Sequence, residues 1–192
     1  MAIEGDSIEY ELLIQWCEKL PFFKEPKSVT TCEIGVRKGL GSKLIINAIK
    51  KRIGSKPYEH IGIDPYNNLL YQHYDHTKKY QNDYTDEMRQ TMVNDMADEK
   101  NFSFHHLTDV QFMSIFSNTN KIFDLVHFDG PHMTKDIIRE AVWFADKSRI
   151  GTRFIFDDYQ KFKMTSVKEC LKAWNFEPIE AGKKNLLSKR IL

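Results

Sequence analysis

Residues 28–42 read SVTTCEIGVRKGLGS, and the fold follows from them. Ser28 to Ile34 is rich in β-branched side chains, which suit a pleated strand. Gly35, Gly39 and Gly41 come next, and glycine permits positive φ and close backbone approach to a ligand. From about Ser42 to Ile53, Leu44, Ile45, Ala48 and Ile49 recur at helical spacing. A strand, a glycine loop and a helix follow in order, and the helix N-terminus offers partial positive charge at the loop. A phosphate loop needs GxxxxGK[ST], but here the order is Gly41-Ser42-Lys43. A dinucleotide loop needs GxGxxG, but here the spacing is GxxxGxG. What remains is an ExGxxxG pattern through Glu33, Gly35 and Gly39.

Short apolar runs alternate with helical stretches along the rest of the chain, which predicts an α/β fold. Ser7 caps an expected first helix carrying Ile8, Leu12, Leu13 and Trp16 and ending near Pro21, all within an N-terminal segment of residues 1–27. Further strands are expected at His60–Ile63, Phe102–Leu107, Ile122–Phe128 and Thr152–Phe156. Helices are expected from Thr85 to about Glu99, near Val110–Phe116, from Pro131 to about Lys147, and near Thr165–Trp174. Two closing strands near Glu177 and Leu186 flank the turn EAGKKN and predict an antiparallel hairpin.

Residues 65–84 break the pattern. They hold Tyr66, Tyr71, Tyr74, Tyr80 and Tyr84 together with His73 and His76, with little periodicity. Such an insertion predicts a lid over a bound molecule. A flexible loop, or an aromatic contact between copies of the chain in a homo-oligomer, is the alternative.

The composition excludes several classes. The chain has 192 residues, 28 Lys+Arg against 27 Asp+Glu, and a formal charge of +1, a poor match for nucleic acid. Its length predicts one domain over residues 1–192. No apolar run reaches the roughly 20 residues of a membrane span, and the N-terminus lacks the basic and apolar regions of a secretory signal. Cys17, Cys32 and Cys170 are odd in number and far apart, which argues against a disulfide scaffold and predicts a cytoplasmic protein. Acids gather at the strand ends, while Lys50-Lys51-Arg52 and Lys183-Lys184 are expected elsewhere.

Each main strand ends in polar residues: Glu33 and Gly35, Asp64, Thr108-Asp109, Asp129, and Asp157-Asp158. In an open parallel sheet all five ends share one edge, where doubly wound folds bind ligands. Any single acid there also suits a turn. Asp64 at the end of the second strand can accept two hydrogen bonds from ribose hydroxyls.

The pieces CEIGVRKGLGS, HIGIDPY (60–66), HHLTD (105–109), HFDGPH (127–132) and FIFDDY (154–159) resemble the class I S-adenosylmethionine-dependent methyltransferases. The likeness covers about Ser28 to Lys161. It implies a Rossmann-like, doubly wound, seven-stranded and mostly parallel sheet with an antiparallel C-terminal hairpin strand. The DGxH turn followed by paired acids is similar to the metal-dependent small-molecule O-methyltransferases, including those acting on macrolide sugars. On that resemblance, Glu33, Gly35, Gly39, Ser42, Asp64, Thr108, Asp109 and Asp129 surround S-adenosylmethionine. Asp129, Asp157 and Asp158 hold a divalent metal, and His132 is the general base acting on a hydroxylated small-molecule acceptor.

The chemistry is consistent with those residue types. Methyl transfer from a sulfonium needs an aligned nucleophile and a proton acceptor. Carboxylate oxygens suit Mg²⁺, Mn²⁺ or Ca²⁺. A histidine near pKa 6.5, expected on the first turn of its helix, suits a base at neutral pH. Adjacent acids in a regular strand point to opposite faces, so Asp157 and Asp158 can share a metal only if the strand has ended. A metal-independent methyltransferase, a non-catalytic nucleoside-binding module and a nicotinamide oxidoreductase are the competing readings, the last disfavoured by the glycine spacing.

Overall fold

The computed structural model describes residues 9–20 and 28–192. The expected cap at Ser7, Ile8 and the helix end at Pro21 lie outside the described residues. Helix α1 is Tyr10–Glu18, β1 is Val29–Ile34, α2 is Leu40–Ile53 and β2 is Tyr58–Ile63. The segment 65–84 contains β3 (Leu70–Tyr71) and β4 (Tyr80–Gln81). Then follow α3 (Asp86–Asp95), β5 (Phe102–His105), α4 (Asp109–Ile115), β6 (Phe123–Phe128), α5 (Thr134–Asp146) and β7 (Ser148–Phe156). Helix α6 (Met164–Leu171), a 3-10 turn (Lys172–Trp174), β8 (Phe176–Ala181) and β9 (Leu186–Arg190) close the chain.

Among the described residues, seven strands form one sheet in the order β5-β2-β1-β6-β7-β9-β8. The pairs from β5 to β7 are parallel, and β9 runs antiparallel to both neighbours. This is the doubly wound sheet with a reversed C-terminal strand that the sequence implied. The strand order turns back between β1 and β6, so the loops after these two strands diverge and leave a crevice. Pro178 lies in β8, the edge strand, beside a register irregularity between Pro178 and Glu180, a place that tolerates proline.

Helices cover both faces. On one, Leu13 and Trp16 of α1 and Ile45 and Ile49 of α2 bury against Leu125 and Ile155. On the other, Phe112 of α4, Phe144 of α5 and Val167 of α6 pack with Phe128, Phe154 and Phe156. Both faces are covered, so β6 (FDLVHF) is buried at every position rather than alternating.

Two expectations change. Residues 65–84 are not wholly irregular, since β3 and β4 pair as a small antiparallel hairpin. The consecutive left-handed residues Tyr66, Asn67 and Asn68 turn the chain into it. Helix α5 begins at Thr134 rather than at Pro131. Its N-cap residue, Met133, makes no side-chain cap. Asp75 of the insertion supplies one instead, accepting from the Thr134 N–H at 3.0 Å and from the Thr134 hydroxyl.

Candidate active site

The glycine loop is shaped by the close approach of β1 and β6. Gly35 has φ +89°, and a Cβ there would overlap the backbone carbonyl of Asp129. Two backbone bonds fasten the crossing: Gly35 N–H to Ile63 O at 2.9 Å, and Asp129 N–H to Ile34 O at 2.9 Å. Gly39, at φ +87°, is the N-cap of α2. Gly41 leaves room for the Glu33 carboxylate, which a Cβ would strike.

Glu33 and Ser42 form part of a buried polar chain. The Ser42 hydroxyl donates to Glu33, whose other oxygen lies 2.9 Å from His127 Nδ1. Ser42 also meets His60 Nε2 at 3.0 Å, and His60 Nδ1 lies 2.8 Å from the Thr31 hydroxyl. Burial pulls His60 down to about 4, so it is neutral at pH 7. This network anchors the loop from beneath.

Asp64 ends β2 and ties the neighbouring loops together. It accepts the Arg37 N–H at 2.9 Å and the Tyr66 N–H at 3.1 Å. Burial pushes it up to about 6 despite these donors. Thr108 caps α4 in a reciprocal capping box with Gln111, and Asp109 pairs with Arg139.

A cleft of about 290 Å³ opens at the turn-back of strand order. Gly35, Asp64, Thr108, Asp109 and Asp129 line it from the sheet side. Leu70, Tyr71, His73 and Tyr84 line it from the 65–84 side. Glu33 faces a smaller adjoining pocket with Gly35 and Asp129. Gly39 and Ser42 lie in the supporting loop and helix rather than in the cleft wall.

Beside the cleft the strand-end acids divide into two groups. Strand β7 ends at Phe156, so Asp157 and Asp158 are free of the pleat. Donor atoms of His127, Asp129 and Asp157 lie within 4.8 Å of one another, and so do those of His73, His132 and Asp158. Asp158 has φ +47° and accepts the Tyr74 hydroxyl at 2.7 Å. Burial and the adjacent Asp157 carboxyl push Asp129 well above the ordinary carboxylate range. Asp157 is buried, and among the described residues its Oδ1 has no hydrogen-bond partner.

Lys184 corrects the charge layout expected from the sequence. Its ammonium lies 2.9 Å from Asp157 Oδ2, inside the acidic edge rather than away from it. The turn that carries it is gripped by Glu9, which accepts the backbone N–H groups of Lys183, Lys184 (2.8 Å) and Asn185 (2.7 Å). Burial pulls Lys184 downward, but Asp157, Asp129 and Asp158 together hold it above its usual value.

His132 is not on a helical turn, because α5 starts two residues later. It bridges to Tyr74 in the insertion. Its ring lies near-parallel to those of Tyr74 (5.9 Å, 19°) and Phe162 (6.1 Å, 6°). Nδ1 sits 3.3 Å from His73 Nε2. Nε2 has no hydrogen-bond partner among the described residues and faces Asp157 Oδ2 at 3.8 Å. Burial, with His73 and Lys184, depresses its pKa well below the usual value, so the imidazole is neutral. The sequence reading missed Lys184 and Glu9 as site-building residues, and their separation along the chain hides the connection. His73 and Tyr74 were visible only as part of an aromatic segment.

Comparison with known proteins agrees with this geometry. The family described as "Methyltransferase domain" matches residues 32–159. A search of curated proteins finds no match. Among solved structures, an O-methyltransferase from Bacillus cereus in complex with SAH superposes with a TM-score of 0.66 at 10% identity, covering 100% of this chain and 84% of that one. The O-methyltransferase TomG from Streptomyces achromogenes, involved in tomaymycin synthesis, gives 0.65 at 13% identity, covering 99% and 82%. A ribosomal protein L11 methylase from Lactobacillus delbrueckii subsp. bulgaricus gives 0.56 at 13%, covering 98% and 81%. Acceptors as different as these share one fold, so the fold alone does not choose the acceptor. The chain belongs to the methyltransferase-domain family and carries the fold of the class I S-adenosylmethionine-dependent enzymes.

Proposed function

We propose that this protein moves a methyl group from S-adenosylmethionine to a hydroxyl of a small molecule, with His132 as the proton acceptor. The observation that carries the reading is the unpartnered Nε2 of His132 beside the acidic cluster, next to the cleft edged by Asp64 and Asp129. The donor, when bound, supplies an electrophilic methyl on a sulfonium. Asp64 suits its ribose hydroxyls, and the acids along the sheet edge suit its positive charge. When His132 Nδ1–H donates to His73 Nε2, Nε2 keeps the lone pair that a base needs. As the new O–CH₃ bond forms and the S–CH₃ bond breaks, the acceptor's hydroxyl proton passes to that nitrogen. Leu70, Tyr71 and Tyr84 give the cleft an apolar and aromatic wall on the side of the insertion.

The donor set fits a hard divalent cation at Asp129 and Asp157, whose oxygens lie together with Asp157 Oδ1 free to take it. Such an ion, when bound, favours the ionised form of a nearby hydroxyl. Asp158 stands outside that set, grouped with His73 and His132 and accepting the Tyr74 hydroxyl. A metal-independent reading is favoured by one observation, the Lys184 ammonium already paired with Asp157.

The test is turnover with S-adenosylmethionine across a panel of sugars and phenols, alongside calorimetry with S-adenosylhomocysteine. Methylated product is expected; no binding of S-adenosylhomocysteine by the intact protein would refute the reading. Full activity in excess EDTA would leave methyl transfer standing and remove the divalent ion from it.

A further inference from the structure

We infer that His73, His132 and Asp158 form a second metal site, for a borderline transition ion such as Zn²⁺ or Co²⁺, that ties the 65–84 insertion to the loop carrying His132. One donor atom from each residue lies within 4.8 Å of the other two. The two imidazole nitrogens, His73 Nε2 and His132 Nδ1, are 3.3 Å apart. Two ligands held about 2.0 Å from a tetrahedral ion are separated by about that distance. Two imidazoles and one carboxylate, with a fourth position open, are a zinc-type set rather than a magnesium-type set.

The surroundings hold the donors in place. The Tyr74 and Phe162 rings lie near-parallel to the His132 ring, which is almost wholly buried. Its outer nitrogen, Nε2, points toward Asp157 Oδ2 at 3.8 Å, the carboxylate that commonly orients a ligating histidine from behind. Tyr74 donates to one oxygen of Asp158 at 2.7 Å. Asp158 adopts φ +47°, which is strained for a non-glycine residue and places its carboxylate beside the two rings. Asp75 capping α5 keeps the insertion against this loop.

Binding here has a consequence at a single atom. An ion on Nδ1 leaves the ring proton on Nε2, so His132 loses the lone pair that accepts the hydroxyl proton. The ion also pins His73, and with it the segment over the cleft. The site is therefore an inhibitory one, a consequence that rests on the proposed methyl transfer, whereas binding itself does not.

The experiment is titration of the chelator-treated full chain with Co²⁺, read by visible absorption. One equivalent is expected to give the intense bands of four-coordinate cobalt, displaced by Zn²⁺ and unaffected by excess Mg²⁺. His73→Gln and Asp158→Asn are each expected to weaken Co²⁺ binding by at least about tenfold. Asp129→Asn, which alters only the neighbouring acid pair, should keep the bands. Pale six-coordinate spectra, unchanged affinity in either ligand variant, or loss of the bands in Asp129→Asn would overturn the site. Calorimetry with S-adenosylhomocysteine separates the two proposals. Donor binding without cobalt bands sinks only the metal site, and cobalt bands without donor binding sink only the methyltransferase reading.

Discussion

The ammonium of Lys184 stands 2.9 Å from the carboxylate of Asp157, joining the hairpin turn after β8 to the end of β7. It neutralises part of the buried acidic pair formed by Asp157 and Asp129. Replacing it with a neutral side chain leaves those acids uncompensated. Lys184→Met is expected to cost about 2–3 kcal/mol, below a fully buried pair because the lysine is partly exposed. Urea denaturation at pH 7 measures this. The same variant should bind Mn²⁺ more tightly than the parent, since the ion no longer competes with the ammonium.

Glu9 builds that turn from the other end of the chain. Burial alone would raise its pKa, but the N–H groups of Asn185, Lys184 and Lys183 hold it below the ordinary value. A depressed carboxylate adds stability above its unfolded pKa of about 4.5, and that stability is lost as pH falls through the folded value. Glu9→Ala should therefore lower stability at pH 7 by about 1.5–3 kcal/mol. The difference from the parent should shrink steadily below about pH 4.5, as denaturation at several pH values would reveal.

Asp64 has the opposite sign. Its folded pKa, raised to about 6 from 3.8, means that ionisation costs stability as pH rises between those values. Its contribution is fully favourable below the unfolded pKa and is lost as pH climbs through about 6. Ribose hydroxyls need the ionised form as acceptor. Donor affinity is expected to fall as pH drops below about 6, and Asp64→Ala to weaken S-adenosylhomocysteine by about tenfold or more. Calorimetric titration at pH 5 and pH 8 checks both; equal affinities at the two values would exclude Asp64 from donor binding.

Gly35 tests the crossing of β1 and β6. Gly35→Ala combines a left-handed backbone with overlap on Asp129, for an expected loss of about 2–5 kcal/mol. Gly54 also has positive φ, but nothing stands within 4 Å of its Cβ position. Gly54→Ala, at φ 64° and ψ −123°, meets backbone strain without a clash and should cost about 1–3 kcal/mol. The melting temperatures of the two variants measure this, with the larger loss expected at Gly35.

His132→Ala is expected to lower kcat by about 10²–10⁴-fold while leaving S-adenosylhomocysteine affinity within about twofold. His132 does not line the donor cleft, so a large loss of donor affinity would point to a structural role instead.

The order of strands and helices was legible in the chain because it is written in local periodicity. The buried run of β6, the helical spacing of Ile45 and Ile49, and the polar residue ending each parallel strand all act within a few residues. The same locality made the strand ends, and so the edge that bears the cleft, readable from Glu33 through Asp158. The start of α5 was misplaced because its cap comes from Asp75, 59 residues away.

What the sequence by itself determined was therefore the doubly wound sheet and the set of acids along one edge of it. Only the tertiary structure decided how those acids are shared out. It set Asp157 with Asp129 under Lys184, and Asp158 with His73 and His132 under Tyr74. These pairings join side chains separated by tens of residues. Their geometry depends on a left-handed turn at Asp158, a hairpin gripped by Glu9 and an insertion folded back over the loop. No local pattern encodes such distances, because they are fixed by the packing of elements that meet only once the sheet has formed.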